Sequence, residues 1–318
     1  MIRGVLLLAL ALISMPAMAQ KAEWVTLGTS GGPAVQPERS QIANALVTAN
    51  DVYLFDVGNG VQRQMALAGI AERDVRVIFL SHHHLDHVAD LGPLLWTRWT
   101  FGGGPLTVVG PVGTRALIDG LIAASGPIVL AGYPTGGPVK LGLAELVKVI
   151  EIPADLDRPT QIYKDAVITV SAIGVDHYQS APSVPLAAMP QAVAYRVEAG
   201  GRSIVFTGDS GPSKRLGVLA EGADLLVTEV VELDAIAGQL AKQPMPDAAR
   251  KGIVAGMAVN HLTPAEIGRM AEDAHVKAVV LTHFVPSPEK VPDQGVYARQ
   301  IGAIYKGPVT LARDLDRF

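Results

Sequence analysis

The sequence predicts a mixed α/β fold, a four-layer αββα sandwich, from three observations. Short apolar runs of strand length alternate with helical stretches along the chain. These runs form two β-rich halves, divided by Gly/Pro-rich connections over Ser125–Pro138. No low-complexity linker interrupts either half, so residues 20–318 are expected to form a single domain. Two sheets with outer helices bury their remaining faces by stacking on each other.

In chain order, Met1 to Ala19 reads as a cleavable leader. Arg3 gives a positive start, Val5 to Ile13 an apolar run, and Ala17-Met-Ala19 a cleavage site before Gln20. The run is short for a bilayer span, and no cysteine exists to accept a lipid. The mature chain is therefore expected to be periplasmic or secreted, with no stable membrane association. Trp24–Leu27, Ala45–Thr48 and Val52–Asp56 read as strands, with turn chemistry at Gly28-Thr-Ser-Gly-Gly and Ala49-Asn-Asp51. Gly60–Ala68 reads as a helix, Val75–Leu80 as a strand and Val88–Thr97 as a helix; Leu106–Val109 and Thr114–Ala123 repeat strand then helix. In the second half Leu146–Ile152, Val167–Ile173, Ala192–Glu198, Ser203–Thr207 and Leu225–Glu229 read as strands. Thr263-Pro-Ala-Glu266 is a helix start, with N-cap Thr, Pro at the first helical position and Glu to close a capping box. Val276–Leu281 is read as the last buried strand.

The chemistry concentrates at Phe79-Leu-Ser-His-His-His-Leu-Asp-His87. His82 and His84, two residues apart in extended backbone, can project to one side. Asp86 and His87 turn onto the following helix and can serve a neighbouring point. Two clusters of nitrogen and oxygen donors without sulfur read as a hydrolytic metal site, with zinc the expected ion and manganese or iron compatible. His83 is not needed and is expected to face away, and His275 has no evident role. With no cysteine, stability must come from packing and metal. The net charge is −4 and no basic run exists that would track a phosphate backbone. Trp96, Trp99 and Phe101 form a cluster in a chain otherwise poor in aromatic residues.

On these residues the chain resembles a metallo-β-lactamase-fold hydrolase, most closely the ribonuclease Z and arylsulfatase-like branch. Leu27-Gly-Thr-Ser-Gly-Gly, Leu54-Phe-Asp-Val-Gly-Asn-Gly-Val-Gln62 and Pro105-Leu-Thr-Val-Val-Gly-Pro-Val-Gly-Thr114 are similar to ribonuclease Z segments. Ile173-Gly-Val-Asp-His177, Phe206-Thr-Gly-Asp209 and Leu281-Thr-His283 follow in the family's order, each read at a strand end. The resemblance implies that His82, His84 and His177 hold one divalent ion. It implies that Asp86, His87 and His283 hold a second, with Asp209 and a hydroxide bridging. Asp86 would also orient or deprotonate the attacking water. Thr228-Glu-Val and Asn260-His-Leu-Thr stand where the family carries a Glu–His pair, which implies that His261 protonates the leaving oxygen while Glu229 holds it.

Departures narrow the expectation. The family's transfer-RNA-gripping arm would fall before Asp209, where only Ala199 to Val205 separates Tyr195-Arg-Val-Glu198 from Phe206-Thr-Gly-Asp209. Transfer RNA is therefore not expected as a partner. Asp209 argues against the classical β-lactamases, and Gly174-Val-Asp-His177 against the glyoxalase II thioesterase. The expected activity is hydrolysis of a small phosphodiester or aryl sulfate ester. Lactones and other carboxylic esters, or a ribonuclease Z-like nuclease, are the alternatives. A metal-binding protein without turnover would be expected to lack Asp209 or His261, and an iron redox enzyme has no use for Glu229 and His261. Trp96–Gly104, Tyr178–Gln191 and Asp234–Val259 are the segments able to wall the cleft. The partners expected are the small-molecule ester and, where the chain self-associates, a second copy in a homodimer.

Overall fold

Strand alternation sorts the apolar residues into three layers of core. Tyr53 and Phe55 pack into a cluster with Trp24, Phe79, Tyr195 and Phe206 between two sheets. Val52 and Leu54, their neighbours on the same strand, point the other way, into a cluster shared with Leu91, Leu95 and Ile118 of helices. A third cluster joins Ile173, Val205 and Leu281 to helical Leu216, Ile267 and Ile301. Helix, sheet, sheet and helix therefore follow one another through the molecule. The computed structural model describes residues 22–132, 142–178 and 190–318. The expected leader, Met1–Ala19, and parts of the 125–138 and 178–191 connections lie outside the described residues.

The first sheet runs in chain order: β1 Glu23–Gly28, β2 Ala43–Val47, β3 Val52–Val57, β4 Val75–Phe79, β5 Leu106–Pro111 and β6 Val147–Ile152. Its first three strands form an antiparallel meander, and β3 to β6 are parallel. The second sheet repeats that scheme with β7 Thr160–Lys164, β8 Ile168–Val175, β9 Ala192–Ala199, β10 Arg202–Phe206, β11 Leu225–Val231, β12 Val279–Val285 and β13 Val309–Leu311. It is antiparallel from β7 to β10 and parallel from β10 to β13. The helices are α1 Val61–Ala68, α2 Leu85–Val88, α3 Leu91–Thr100, α4 Thr114–Ala124, α5 Gly126–Ala131, α6 Leu143–Leu146, α7 Lys214–Ala220, α8 Leu233–Leu240, α9 Asp247–Asn260, α10 Pro264–Asp273 and α11 Gly295–Gly302. Open parallel sheets gather their ligands outside the carboxyl ends of the strands. In this chain β3, β4, β8, β10, β11 and β12 deliver their last residues to one such edge.

Several expected elements differ in detail. The helix expected over Val88–Thr97 is two helices, α2 and α3. Pro93 has no N–H to bond the Ala89 carbonyl, so one continuous helix cannot cross it. The strand expected over Val276–Leu281 starts three residues later and runs past His283 to Val285, with β13 beyond it. Thr263 does cap α10, accepting from the Glu266 N–H, and Glu266 returns the bond to close the box. Trp96 and Trp99 pack into the core between α3 and the first sheet, and Phe101 is exposed.

Candidate metal centre

The segment after β4 leaves the sheet through Leu80 and Ser81, and His84 then takes an extended conformation at the N-cap of α2. That single turn separates the donors into two groups. His82, His84, His177 and Asp209 have ligand atoms within 4.8 Å of one another, as do Asp86, His87 and His283. His177 Nε2 lies 3.1 Å from His84 Nδ1, and His87 Nε2 lies 3.2 Å from His283 Nε2. Asp209, at the end of β10, sits between the groups. Its Oδ2 is 3.9 Å from His82 and 3.7 Å from His177, while its Oδ1 is 3.5 Å from His87 and 3.3 Å from His283. One carboxylate oxygen thus faces each group. The structure brings together all seven residues expected to hold metal. His83 turns away, its Nε2 2.9 Å from the Thr114 hydroxyl at the start of α4.

Two β-bulges aim side chains into this edge. Ala43 pairs with Val57 and Asn44 with Phe55, leaving Asp56 as an extra residue with φ of 59°. Thr228 pairs with Leu281 and Val230 with Phe284, so Thr282 and His283 stand opposite Glu229 alone, and His283 has φ of 42°. A bulge re-aims its side chain at the expense of a left-handed residue, at about 1–3 kcal/mol for a non-glycine. Both of the strained residues serve the site. The Gly31-Gly32 turn closes over it: a Cβ on Gly32 would fall 2.1 Å from Asp86 Cγ, and one on Gly31 2.9 Å from the His283 ring.

Asp56 was missed as a functional residue. Its buried carboxylate accepts from the Ser81 N–H and hydroxyl, each at 2.7 Å, and from His87 Nδ1 at 2.7 Å. A carboxylate only accepts, so His87 carries its proton on Nδ1 and turns Nε2 toward His283 and Asp86. Because Ser81 donates to Asp56, its oxygen is left to accept from His82 Nδ1 at 3.0 Å, which frees His82 Nε2. A lone acid in the apolar strand Val-Tyr-Leu-Phe-Asp-Val was the available signal. His177 is oriented the same way, its Nδ1 2.9 Å from the Asn260 carbonyl. Tyr178 packs edge-on against His84 and His177, with ring centres 5.1 and 5.0 Å away.

The electrostatics match a cation site. Burial pushes His177 down to about 4 and lowers His82 and His84, so these imidazoles are neutral donors. Burial opposes charge on His87 and His283 too, but the Asp209 carboxylate lifts both, with Asp56 and Asp86 adding to it. Asp209 is held well below its ordinary range despite burial, because His283 and His87 face it. Among the described residues, His82 Nε2 and Asp209 Oδ1 are buried without hydrogen-bond partners. Orphaned buried donors of this kind, all nitrogen and oxygen, fit two divalent cations.

Beside the second group stands a dyad. Glu229 on β11 accepts from Ser210 N at 2.6 Å and meets His261 Nδ1 at 2.5 Å. His261 is the residue after α9 and before Thr263-capped α10. Burial lowers its pKa, but Glu229 more than offsets this and raises it to about 9. Its Nε2 is left for a cavity of about 580 Å³ lined by His84, His177, Tyr178, His261 and one face of α9. Of the segments expected to wall the cleft, Tyr178 and α9 line this cavity and Trp96–Gly104 does not, among the described residues.

A β-lactamase superfamily domain model matches residues 52–284. The chain is 31% identical over 296 residues to a ribonuclease Z from Mycobacterium sp. (strain KMS), spanning 92% of this chain and 94% of that one. It belongs to the metallo-β-lactamase superfamily, in its ribonuclease Z branch. Two solved metallo-β-lactamase-fold structures share its architecture. The protein YhfI from Bacillus subtilis has a TM-score of 0.66 at 20% identity, with 93% of this chain and 98% of that one covered. The human short-form tRNase Z has a TM-score of 0.63 at 24% identity, with the same coverage. Membership implies a metal-dependent hydrolase using divalent ions, typically zinc, and the two donor groups are the residues that could hold them.

Proposed function

We propose that this chain hydrolyses small phosphodiesters and, with the same geometry, aryl sulfate esters. The observation that carries the reading is the Glu229–His261 dyad placed beside Asp209 and open to the cavity. Two divalent cations, zinc expected, one on His82, His84, His177 and Asp209 and one on Asp86, His87, His283 and Asp209, would supply Lewis acidity and an activated water. The chain's own residues do the rest. Asp86, its Oδ2 3.2 Å from His283 Nε2, is placed to orient the attacking water or accept its proton. Glu229 fixes His261 with a proton on Nδ1 and favours the imidazolium, so a second proton rides on Nε2. His261 then gives that proton to the departing oxygen.

A nuclease reading is favoured by the ribonuclease Z relatives. The strands flanking the expected arm position are joined here by Gly200-Gly201 alone. Compactness does not separate the readings, since the mycobacterial relatives are themselves spanned almost whole by a chain of this size. Charge supports the small-ester reading: the net charge is −4, and no lysine or arginine lines the cavity among the described residues. Export, carried by the leader at Met1–Ala19, belongs to the same proposal; a mature N-terminus at Gln20 is its expected signature, and Met1 retained on periplasmic protein would refute it.

General acid catalysis contributes roughly 10²–10⁴-fold and matters most for basic leaving groups. His261→Ala should keep its metal yet lose rate on alkoxide leaving groups, and lose far less on nitrophenyl esters. If log(kcat/KM) against leaving-group pKa has the same slope in both proteins, with chemistry rate-limiting, His261 is not the acid. Efficient cleavage of precursor transfer RNA at physiological salt would establish the nuclease instead.

A further inference from the structure

Helix α9 buries none of its residues, yet one stripe of it is apolar. Ala249, Gly252, Ile253, Gly256 and Met257 recur at the spacing that shares one helical face, with polar Asn260 at its end, and that face lines the cavity beside His84, His177 and His261. A stripe of this kind ordinarily packs on a core. Here, among the described residues, it faces open space: a Cβ built on Gly252 meets nothing within 4 Å. The cavity, about 580 Å³, falls in the range of small-molecule sites.

Which part of a substrate occupies it follows from His261. Nδ1 is committed to Glu229, so the nitrogen that serves the departing oxygen is Nε2, and the cavity is where His261 opens. Whatever departs must therefore lie against α9. Among the described residues, the lining offers Ile253 and Met257 as apolar surface, small residues that make room, and no cationic side chain to pair with an anion. We infer that α9 forms a leaving-group pocket selective for an uncharged, apolar alcohol or phenol, with Gly252, Ile253 and Met257 setting its size. This rests on the phosphodiesterase reading above and adds the identity of the departing half.

The test uses metal-loaded protein, Gly252→Leu, and Ala255→Leu as a control that adds bulk to the same helix off the lining face. Leucine replaces a poor helix former at Gly252, so the helix itself gains. The substrates are methyl phenyl phosphate and methyl 1-naphthyl phosphate, whose leaving groups have similar acidity but differ by one ring. Gly252→Leu should lower the naphthyl-to-phenyl ratio of kcat/KM at least about tenfold, from the apolar area the second ring no longer buries. Ala255→Leu should leave the ratio at the wild-type value. Calorimetry with 1-naphthol reads the pocket without turnover: wild type binds it, Gly252→Leu binds it at least about tenfold more weakly, and 4-hydroxynaphthalene-1-sulfonate binds wild type more weakly by a similar factor. An unmoved ratio with equal naphthol affinity in Gly252→Leu overturns the inference, as does a sulfonate that binds as tightly as naphthol. A protein that cleaves neither diester defeats the phosphodiesterase reading, while naphthol binding still decides the pocket.

Discussion

Asp56→Asn is the sharpest probe of how the site is built. The substitution is nearly isosteric, and asparagine accepts a left-handed backbone about as readily as aspartate, so the φ of 59° survives. The amide oxygen can still accept from Ser81 N–H. The amide nitrogen then stands where Oδ2 had accepted from Ser81 Oγ and His87 Nδ1. Ser81 can rotate its hydroxyl and accept from the amide while still accepting from His82. His87 has no such freedom: facing a donor, its Nδ1 must give up its proton, which moves to Nε2. That nitrogen is the one turned toward His283, 3.2 Å away. Undoing a buried hydrogen bond to a charged group is worth about 1.5–3 kcal/mol, or roughly 10–150-fold, which brackets the 10–100-fold typical of outer ligand partners. The assay is zinc titration against a chromophoric chelator, with circular dichroism and thermal unfolding in parallel. We expect affinity at the Asp86–His87–His283 group to fall by about 10–100-fold, the other group to change much less, and the fold to persist. Unchanged affinity at both groups would refute the tautomer argument, and an equal loss at both with unfolding would show that Asp56 is purely structural.

Removing the shared carboxylate has a broader effect: Asp209→Ala should lower metal content from about two equivalents to one or fewer, read by elemental analysis after gel filtration, because each group loses an oxygen and the two cations lose the charge between them. Unchanged content would refute bridging. Asp165 ties the sheets together by accepting from Tyr53 of β3 at 2.8 Å and from Tyr163 of β7 at 3.0 Å. Burial would raise its pKa, but the Ile168 and Val167 N–H groups and both hydroxyls hold it below the usual carboxylate range. A depressed folded-state value gives stability that is present above the unfolded value of about 4 and is lost as pH falls through the folded one. In urea unfolding with chelator present, Asp165→Asn should be less stable at pH 7 by about 1 kcal/mol or less, since the group is part-exposed, and the gap should close in acid. A gap independent of pH would refute the linkage.

The layers and the donor cluster were legible because their signals are local. Four histidines and an aspartate within one strand-to-helix turn need no tertiary knowledge to read as a donor cluster. Asp56 was not legible as an orienting group, for a physical reason. Strict alternation puts Val52, Leu54 and position 56 on one face, that of the outer helices. The bulge at Asp56 breaks the alternation, and Val57 rejoins Val52 and Leu54 in that layer. The same break occurs on β12, where Leu281 and Phe284 share a layer although three residues apart. Bulges depend on the partner strand, and no window of one strand contains them. Helix α9 escaped for the opposite reason: two glycines and no buried face lie below the signal of an amphipathic core helix.

That helix makes the site and the sandwich separable in temperature. Local opening takes least free energy where least apolar surface is buried, and α9 buries no residue and contains Gly252 and Gly256. Yet its last carbonyl, from Asn260, receives the His177 ring, and the next residue is His261. When α9 frays, His177 loses its partner carbonyl, His261 loses its place and the cavity loses a wall in one event. On the function proposed above, activity is therefore expected to have its own melting point, set by one marginal helix and lying below that of the two stacked sheets. On warming, turnover should stop while far-UV ellipticity still reports folded sheets.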